Sequence, residues 1–261
     1  MANEPRWYAL MERGSAAATG PSRSEPMGIV FHITESDQAP FEAEQNRNLK
    51  RLGRDLLLYA RSKRAYHFVI DRFGRVFRVV VESDVANHAG HSVWADTRWT
   101  YLSLNASFLG VAFEASTRTD EPPMNQAQLH AAKILVAMLA DKYHLSPQNC
   151  VTHAQVSVNP SNMRIGWHTD WGTGFPFQEL GLPNNYESPN PALSIFGFEY
   201  DDSYRTATGP DLWRGITSAE EQMRESAAQH GMTLTAYRTS LQKKYRQAIS
   251  ALRERSGTEE N

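Results

Sequence analysis

The heptapeptide Gly28-Ile-Val-Phe-His-Ile-Thr34 is the stretch of the sequence that decides the fold. β-Branched and aromatic residues dominate it, Ser and Pro precede it, and polar residues follow it, which is typical of a buried strand. Two similar runs occur later, at residues 108–115 and 150–153. Strands that alternate with long helices predict an α/β fold with a central mixed β-sheet flanked by helices.

Two helices and a hairpin are predicted between and beside these strands. Residues 41–63 carry leucines at helical spacing among many charges, and residues 125–144 repeat apolar residues in a helical pattern after a capping asparagine. Residues 66–71 and 75–81 are strand-like and flank the sequence Arg72-Phe73-Gly74. Because glycine can adopt a positive φ, this sequence indicates a hairpin turn.

Composition shifts divide the chain into three parts. We interpret residues 1–27 as an N-terminal extension and residues 28–182 as one catalytic domain. Residues 183–261 form a C-terminal extension, which begins with a proline-flanked linker at 183–191. Within it, residues 218–255 are rich in Ala, Gln, Glu, Arg and Lys, and predict two polar helices as a helical appendage.

Charge and cysteine content exclude several classes of function. The 27 Lys and Arg nearly balance the 29 Asp and Glu, so the chain lacks the basic surface expected of a nucleic-acid or acidic-membrane partner. No apolar run is long enough for a transmembrane segment, and residues 1–27 lack the apolar stretch of a secretory signal. Cys150 is the sole cysteine, which excludes an intrachain disulfide and favours a buried, inert thiol.

Two histidines at strand ends and a nearby carboxylate suggest a metal site. His32 and His153 each end a predicted strand, so that the sheet could bring their imidazoles together. Asp170 follows within residues 159–177, a Gly-, Pro- and Trp-rich stretch that we expect to be an irregular loop. Two imidazoles and a carboxylate form a three-ligand set for Zn²⁺ that leaves the fourth position open for water or substrate, as catalytic zinc requires.

Five phrases in a fixed order carry a resemblance to a known family. They are Ile29-Val-Phe-His-Ile-Thr, Tyr66-His-Phe-Val-Ile-Asp-Arg-Phe-Gly-Arg-Val, His88-Ala-Gly-His-Ser-Val-Trp94, Leu104-Asn-Ala-Ser-Phe-Leu-Gly-Val, and Thr152-His153 with His168-Thr-Asp170. Over residues 28–178 the sequence resembles the type 2 N-acetylmuramoyl-L-alanine amidases, which include phage T7 lysozyme and the peptidoglycan recognition proteins. The resemblance implies a zinc amidase domain at 28–182.

By this resemblance the metal ligands are His32, His153 and Asp170. Asp170 matches the acidic position of a Lys-x-Asp-Pro-Gly phrase, in which this chain has His168 in place of Lys and Trp171 in place of Pro. The separation of the second and third ligands is also longer than usual in the family. His168 is therefore an alternative third ligand.

The resemblance offers two catalytic schemes. One branch of the family has a Glu at the position of Ala112, and Glu114, two residues later on the same strand face, is a candidate general base. The other branch uses a Tyr and a Lys, whose positions are held here by Tyr66 and His168. These two side chains fit the sequence better, because a phenol and an imidazole can both stabilise the oxyanion of a tetrahedral intermediate.

Substrate-binding residues are predicted in the remaining phrases. His88 resembles a residue of the family's substrate groove, and Asn105 either contacts substrate or holds the turn before the next strand. Four tryptophans lie in predicted loops: Trp94, Trp99, Trp167 and Trp171. Their rings, Trp94 first among them, either stack on substrate or anchor the loops to the core.

These features predict a monomeric zinc hydrolase that acts on peptidoglycan or muropeptides in the cell envelope, periplasmic or secreted. The scissile bond implied by the resemblance joins N-acetylmuramic acid to L-alanine. Two alternatives stay open. One is a non-catalytic peptidoglycan-binding module of the same fold, which the intact ligand set disfavours. The other is a zinc peptidase acting on the stem peptide, although the chain lacks a His-Glu-x-x-His helix.

Overall fold

A mixed five-stranded sheet forms the centre of the chain, for which a computed structural model describes residues 9–12, 25–117, 124–172, 174–209 and 212–258. The strands of all sheets are β1 (Ala9–Glu12), β2 (Gly28–Ile33), β3 (Phe68–Ile70), β4 (Val76–Arg78), β5 (Val93–Ala95), β6 (Trp99–Leu102), β7 (Phe108–Phe113), β8 (Cys150–Thr152), β9 (Val158–Asn159) and β10 (Arg164–Ile165). The helices are α1 (Asn46–Ser62), α2 (Gln126–Tyr143), α3 (His153–Val156), α4 (Pro191–Phe196), α5 (Asp202–Thr208), α6 (Arg214–Gln229) and α7 (Leu234–Thr258).

The central sheet has the strand order β4-β3-β7-β2-β8. Strands β3, β7, β2 and β8 are parallel, and β4 is antiparallel to β3. The predicted hairpin is confirmed, since β3 and β4 meet at a turn in which Gly74 has a φ of 77°. The predicted fold class, a mixed sheet flanked by helices with a helical C-terminal appendage, is confirmed.

Strand β2 is buried on both faces, as its continuous apolar sequence predicted. Its alternation directs Ile29, Phe31 and Ile33 into the larger hydrophobic core under α2, where an Asn125 capping box begins the helix. The opposite face carries Val30 and His32. Core packing therefore fixes the strand that carries His32.

Residues 159–177 are more regular than the sequence suggested. Strands β9 and β10 form a short antiparallel hairpin there, which corrects the expectation of an irregular loop. Each strand has two residues, too few for an alternating pattern to be recognised. The hairpin is nevertheless buried through Val158, Met163 and Ile165.

The C-terminal extension shares a core with the rest of the chain. The two predicted polar helices correspond to α6 and α7, while α4 and α5 were not anticipated. One hydrophobic cluster joins strand residues to helix residues across position 182; its members include Val93, Leu102, Val158, Ile165, Leu193, Phe196, Ile216 and Tyr245. The predicted linker 183–191 contains a 3₁₀ turn, Asn185–Glu187, whose Asn185 side chain donates to the Cys150 carbonyl. The domain division at 182 stays a prediction, but the packing crosses it.

The N-terminal extension lies largely outside the described residues. Its described strand β1 pairs antiparallel with β6, and β6 pairs with β5, which gives a second sheet of three strands. Among the described helices, none combines the length and hydropathy needed to cross a membrane.

Candidate metal centre

The parallel pairing of β2 and β8 brings His32 and His153 together. Phe31 is the register partner of Thr152, so each histidine comes one residue after the last aligned pair. Their ring centroids are 4.5 Å apart. Thr152 also caps the short helix α3, which starts at His153 and orients its imidazole. Both rings are buried.

Asp170 completes the cluster from the segment after β10. One carboxylate oxygen, Oδ2, lies 3.3 Å from His32 Nδ1, and Oδ1 lies 2.9 Å from His153 Nδ1. The Ile33 backbone N–H donates to Oδ2, and the Ala154 backbone N–H donates to the Asp170 carbonyl. One candidate ligand atom from each of His32, His153 and Asp170 falls within 4.8 Å of the others, which is a spacing that could hold a metal ion.

A hydrogen-bonded chain fixes the tautomer of His32. His88 Nε2 lies 3.1 Å from the Phe108 carbonyl oxygen, which can only accept, so the proton of neutral His88 is on Nε2. His88 Nδ1 is then an acceptor, and it lies 3.1 Å from His32 Nε2. His32 Nε2 must therefore donate, and His32 Nδ1 carries a lone pair.

The lowered pKa values of His32 and His88 support the neutral form of these two rings. Burial, followed by the charge of His153, lowers the pKa of His32 to about 4. Burial and the neighbouring His32 lower the pKa of His88 well below its usual range. Burial alone would raise the pKa of Asp170, but His153 and His32 outweigh it and hold this pKa far below the ordinary value. At neutral pH the cluster is thus a carboxylate facing a neutral imidazole.

The residues present fit a zinc ion. The lone pair of His32 Nδ1 faces the Asp170 carboxylate at 3.3 Å, and two electron-rich atoms repel at this distance unless a cation lies between them. His153 Nε2 is buried without a hydrogen-bond partner among the described residues. Two imidazole nitrogens and one carboxylate oxygen form a donor set that zinc prefers.

Tyr66 and His168 both reach this cluster. The Tyr66 ring centroid lies 5.1 Å from that of His32, and the His168 ring stacks on His153 at 4.5 Å. Tyr66 has a φ of 62°, an uncommon conformation for a bulky residue and one that often marks a functional site. Burial and the charge of Asp170 raise the pKa of Tyr66, and burial and His153 lower the pKa of His168.

Glu114 does not contact the cluster of His32, His153 and Asp170 among the contacts described for it. Its Oε2 accepts from the Arg72 backbone N–H at 3.1 Å, and its other charged neighbours are Asp71 and Arg75. Burial raises the pKa of Glu114, and the Arg72 backbone hydrogen bond partly offsets the rise. Because β7 ends at Phe113, Glu114 turns into the hairpin region, whereas Ala112 is the register partner of His32.

His88 and Asn105 form a support for the cluster. His88 is 8% exposed and hydrogen-bonds to His32, a candidate ligand, and its contact with substrate stays a prediction. The Asn105 Oδ1 accepts from the backbone N–H groups of His88 and Ala89, at 3.0 and 2.6 Å. These two hydrogen bonds hold the backbone at His88 and Ala89, and a contact of Asn105 with substrate stays a prediction. No sequence pattern indicated the pairing of His88 with His32.

The loop tryptophans separate into two groups. Trp94, Trp99 and Trp171 are buried, and Trp94 Nε1 donates to the Asn149 side chain. The Trp94 ring is thus part of the core, and its contact with substrate stays a prediction. Trp167 differs: it is 65% exposed and its ring centroid lies 6.4 Å from that of His168.

A groove of about 1020 Å³ lies between α1 and the β3–β4 hairpin. Its walls are apolar at Leu57 and Val69, which belong to the group of side chains around Tyr66. None of the residues that line this groove belongs to the candidate metal cluster. Basic side chains line it as well: Lys50, Arg54, Arg61, Arg75 and Arg78.

The chain is similar to known N-acetylmuramoyl-L-alanine amidases. Residues 22–173 match the family model of N-acetylmuramoyl-L-alanine amidases. Over 112 residues the chain is 30% identical to the N-acetylmuramoyl-L-alanine amidase AmiD of Escherichia coli K12, a stretch that is 41% of this chain and 37% of that relative. The matched stretch thus spans little more than a third of the relative's length.

Two solved structures are similar to this chain at TM-scores below 0.5. The complex of E. coli AmiD with the substrate anhydro-N-acetylmuramic acid-L-Ala-D-gamma-Glu-L-Lys is 21% identical, with a TM-score of 0.47 over 94% of each chain. AmpDh3 from Pseudomonas aeruginosa, in complex with anhydromuramic pentapeptide, is 22% identical, with a TM-score of 0.46 over 87% of this chain and 78% of that one. Because the family model spans more than half of its residues, the chain belongs to the type 2 N-acetylmuramoyl-L-alanine amidase family.

Proposed function

We propose that this protein is a zinc-dependent hydrolase that cleaves the amide bond between N-acetylmuramic acid and L-alanine in bacterial peptidoglycan. The observation that carries the proposal is the buried His32, His153 and Asp170 cluster in a chain of this amidase family. A substrate of this kind lies in the cell wall, so we place the site of action in the cell envelope.

The metal would be held by His32, His153 and Asp170. The spacing of their ligand atoms favours Asp170 over His168 as the third ligand, since the His168 ring stacks on His153. A bound zinc ion supplies Lewis acidity, which polarises a carbonyl and makes water a better nucleophile near neutral pH. His88 keeps His32 in the tautomer that leaves Nδ1 free to bind.

Tyr66 and His168 are the proposed catalytic residues. A phenol is protonated at neutral pH, and burial raises the pKa of Tyr66 further, so this side chain is a hydrogen-bond donor for the oxyanion of a tetrahedral intermediate. His168 has a lowered pKa and is a neutral imidazole, with one N–H and one lone pair. Its N–H can donate a hydrogen bond to the oxyanion, or its lone pair can take a proton from the attacking water and then pass that proton to the leaving amine of L-alanine.

Glu114 is the weaker candidate for a general base. Its carboxylate accepts from the Arg72 backbone, and the charged groups that influence its pKa are Asp71, Arg72 and Arg75 rather than the metal cluster. A general base must come within hydrogen-bond reach of the proton that it removes. The contacts of Glu114 instead favour a structural role at the end of β7.

Metal content and turnover of variants test this assignment. We expect about one zinc per chain, lost in His32→Ala, His153→Ala and Asp170→Asn, and retained in Tyr66→Phe and His168→Ala. Turnover on a muramoyl peptide should fall about a hundredfold to a thousandfold in each of the last two variants. His130→Ala, an exposed histidine on α2, is the matched control and should leave both quantities unchanged.

Three outcomes would change the proposal. If His168→Ala loses zinc while Asp170→Asn keeps it, His168 is the third ligand. If the wild type binds no zinc and cleaves nothing, the protein is a peptidoglycan-binding module. If the zinc-loaded protein cuts only within the stem peptide, it is a peptidase.

A further inference from the structure

Trp167 is an exposed aromatic residue that precedes the candidate ligand Asp170 by three positions. Among the described tryptophans it alone is exposed, with 65% of its surface in solvent. We propose that the Trp167 indole is a stacking platform for the sugar ring of the substrate. This contact gives the enzyme a preference for substrates that carry the N-acetylmuramoyl sugar. This inference rests on the proposed amidase function.

The position of the ring suits this role. The Trp167 ring is nearly perpendicular to that of His168, with centroids 6.4 Å apart, and the His168 ring stacks on His153 at 4.5 Å. Trp167 is thus separated from a candidate metal ligand by one imidazole. In a muramoyl peptide only a short lactyl arm joins the sugar to the scissile carbonyl. A carbonyl at the metal centre therefore keeps the sugar at the rim, within reach of this indole.

The backbone on both sides of Trp167 is anchored. The Gly166 N–H donates to the Ser157 carbonyl, and the His168 N–H donates to the Ser157 hydroxyl. Gly166 has a φ of 76°, and a Cβ at this position would lie 2.2 Å from the Tyr204 ring. The loop is therefore held between Ser157 and α5. Little conformational entropy remains to be lost when a ligand stacks on it.

The C-terminal extension provides much of this anchoring. The β10 residue Ile165 donates its N–H to the Glu199 carbonyl, and Glu199 donates to the Met163 carbonyl. The Trp213 indole donates to the Gly172 carbonyl on the far side of Asp170. An exposed indole on such a rigid segment presents a flat apolar face of the kind that packs against the C–H face of a pyranose.

The test compares two substrates and three variants. One substrate is an N-acetylmuramoyl-L-alanyl peptide, and the other is the matching D-lactoyl-L-alanyl peptide, which keeps the scissile amide but lacks the sugar. The variants are Trp167→Ala, Trp167→Tyr and the control Met138→Ala, which removes an equally exposed apolar side chain (63%) on α2. Zinc content is measured for each protein.

We expect Trp167→Ala to raise KM for the muramoyl substrate about threefold to tenfold, with zinc content unchanged. Trp167→Tyr should recover most of the loss, and Met138→Ala should match the wild type. On the lactoyl substrate the wild type and Trp167→Ala should have equal kcat/KM. An equal loss on both substrates, or no loss on either, would overturn the sugar platform.

Failure of the proposed function gives a different result. In that case the wild type would cleave neither substrate, and binding of the muramoyl peptide would be measured by calorimetry instead. Weaker binding by Trp167→Ala, with no change in Met138→Ala, would still support the platform. Equal binding by the wild type and Trp167→Ala, or no binding by either, would refute it.

Discussion

The hydrogen bond between His88 and His32 gives the sharpest prediction of the structure. In the wild type, His32 Nε2 donates to His88 Nδ1 at 3.1 Å, and His88→Phe removes this acceptor. The metal-free variant can move the His32 proton to Nδ1 and donate it to Asp170, 3.3 Å away. Zinc binding requires a bare Nδ1, so the metal-bound state alone carries an unpaired buried N–H.

The magnitude follows from this asymmetry. An unsatisfied buried donor costs about 1–3 kcal/mol, and loss of an outer hydrogen-bond partner typically weakens metal binding by about 10- to 100-fold. We therefore expect zinc affinity to fall by about 10- to 100-fold in His88→Phe. His88→Asn keeps an acceptor oxygen near the position of Nδ1 and should recover most of the affinity.

Zinc affinity is measured by competition with a chromophoric chelator, and circular dichroism verifies that each variant is folded. His91→Ala is the matched control, because the exposed His91 contributes a backbone carbonyl to Val158 that the substitution retains. If folded His88→Phe binds zinc within about twofold of the wild type, the tautomer argument is wrong.

Four further predictions concern the surroundings of the site. Gly110→Ala places a Cβ 2.6 Å from the His88 ring, so we expect a loss of about 1–3 kcal/mol in the free energy of unfolding and weaker zinc binding, measured by denaturant titration and chelator competition. Burial raises the pKa of Cys150 to about 12, so a thiol reagent should label none of the folded chain between pH 7 and pH 9 and one thiol per chain in guanidinium; rapid labelling of the folded protein would contradict its burial. Glu114→Gln should lower turnover less than tenfold, against about a hundredfold or more for a lost general base. Truncation after residue 182 exposes the cluster shared with α4, α6 and α7, so the shortened chain should aggregate or melt at a lower temperature, and a stable, soluble fragment would mean that the extension folds separately.

The framework of the site was predictable from local sequence. His32 and His153 each follow a short apolar run, and adjacent parallel strands bring such ends together at one edge of a sheet. The Gly74 turn and the Asn125 cap were also predictable, because each depends on a residue with a specific backbone preference.

Contacts between distant residues were not predictable in this way. His88 lies 56 positions from His32, and the glycine that makes room for its ring is Gly110, on another strand. The pattern of β7 placed Glu114 on the same face as Ala112, but the strand ends at Phe113 and the carboxylate turns to the Arg72 backbone.

The replacement of the family's Pro by Trp171 has a structural reason that appears only in the fold. Trp171 has a φ of 60°, whereas proline is restricted to about −65°. Its ring fills the core beside Phe113 and Phe175. The backbone directly after Asp170 therefore has a conformation that proline cannot adopt.

The most direct test of the central claim is mass spectrometry of the products from an N-acetylmuramoyl-L-alanyl peptide digested in ¹⁸O-water. The zinc-loaded protein should release an intact stem peptide without label and a muramic acid whose lactyl carboxylate carries one ¹⁸O. The metal-free protein and the Asp170→Asn variant should release neither. Cleavage within the peptide, or an equal rate after removal of the metal, would contradict the assignment of a zinc amidase centred on His32, His153 and Asp170.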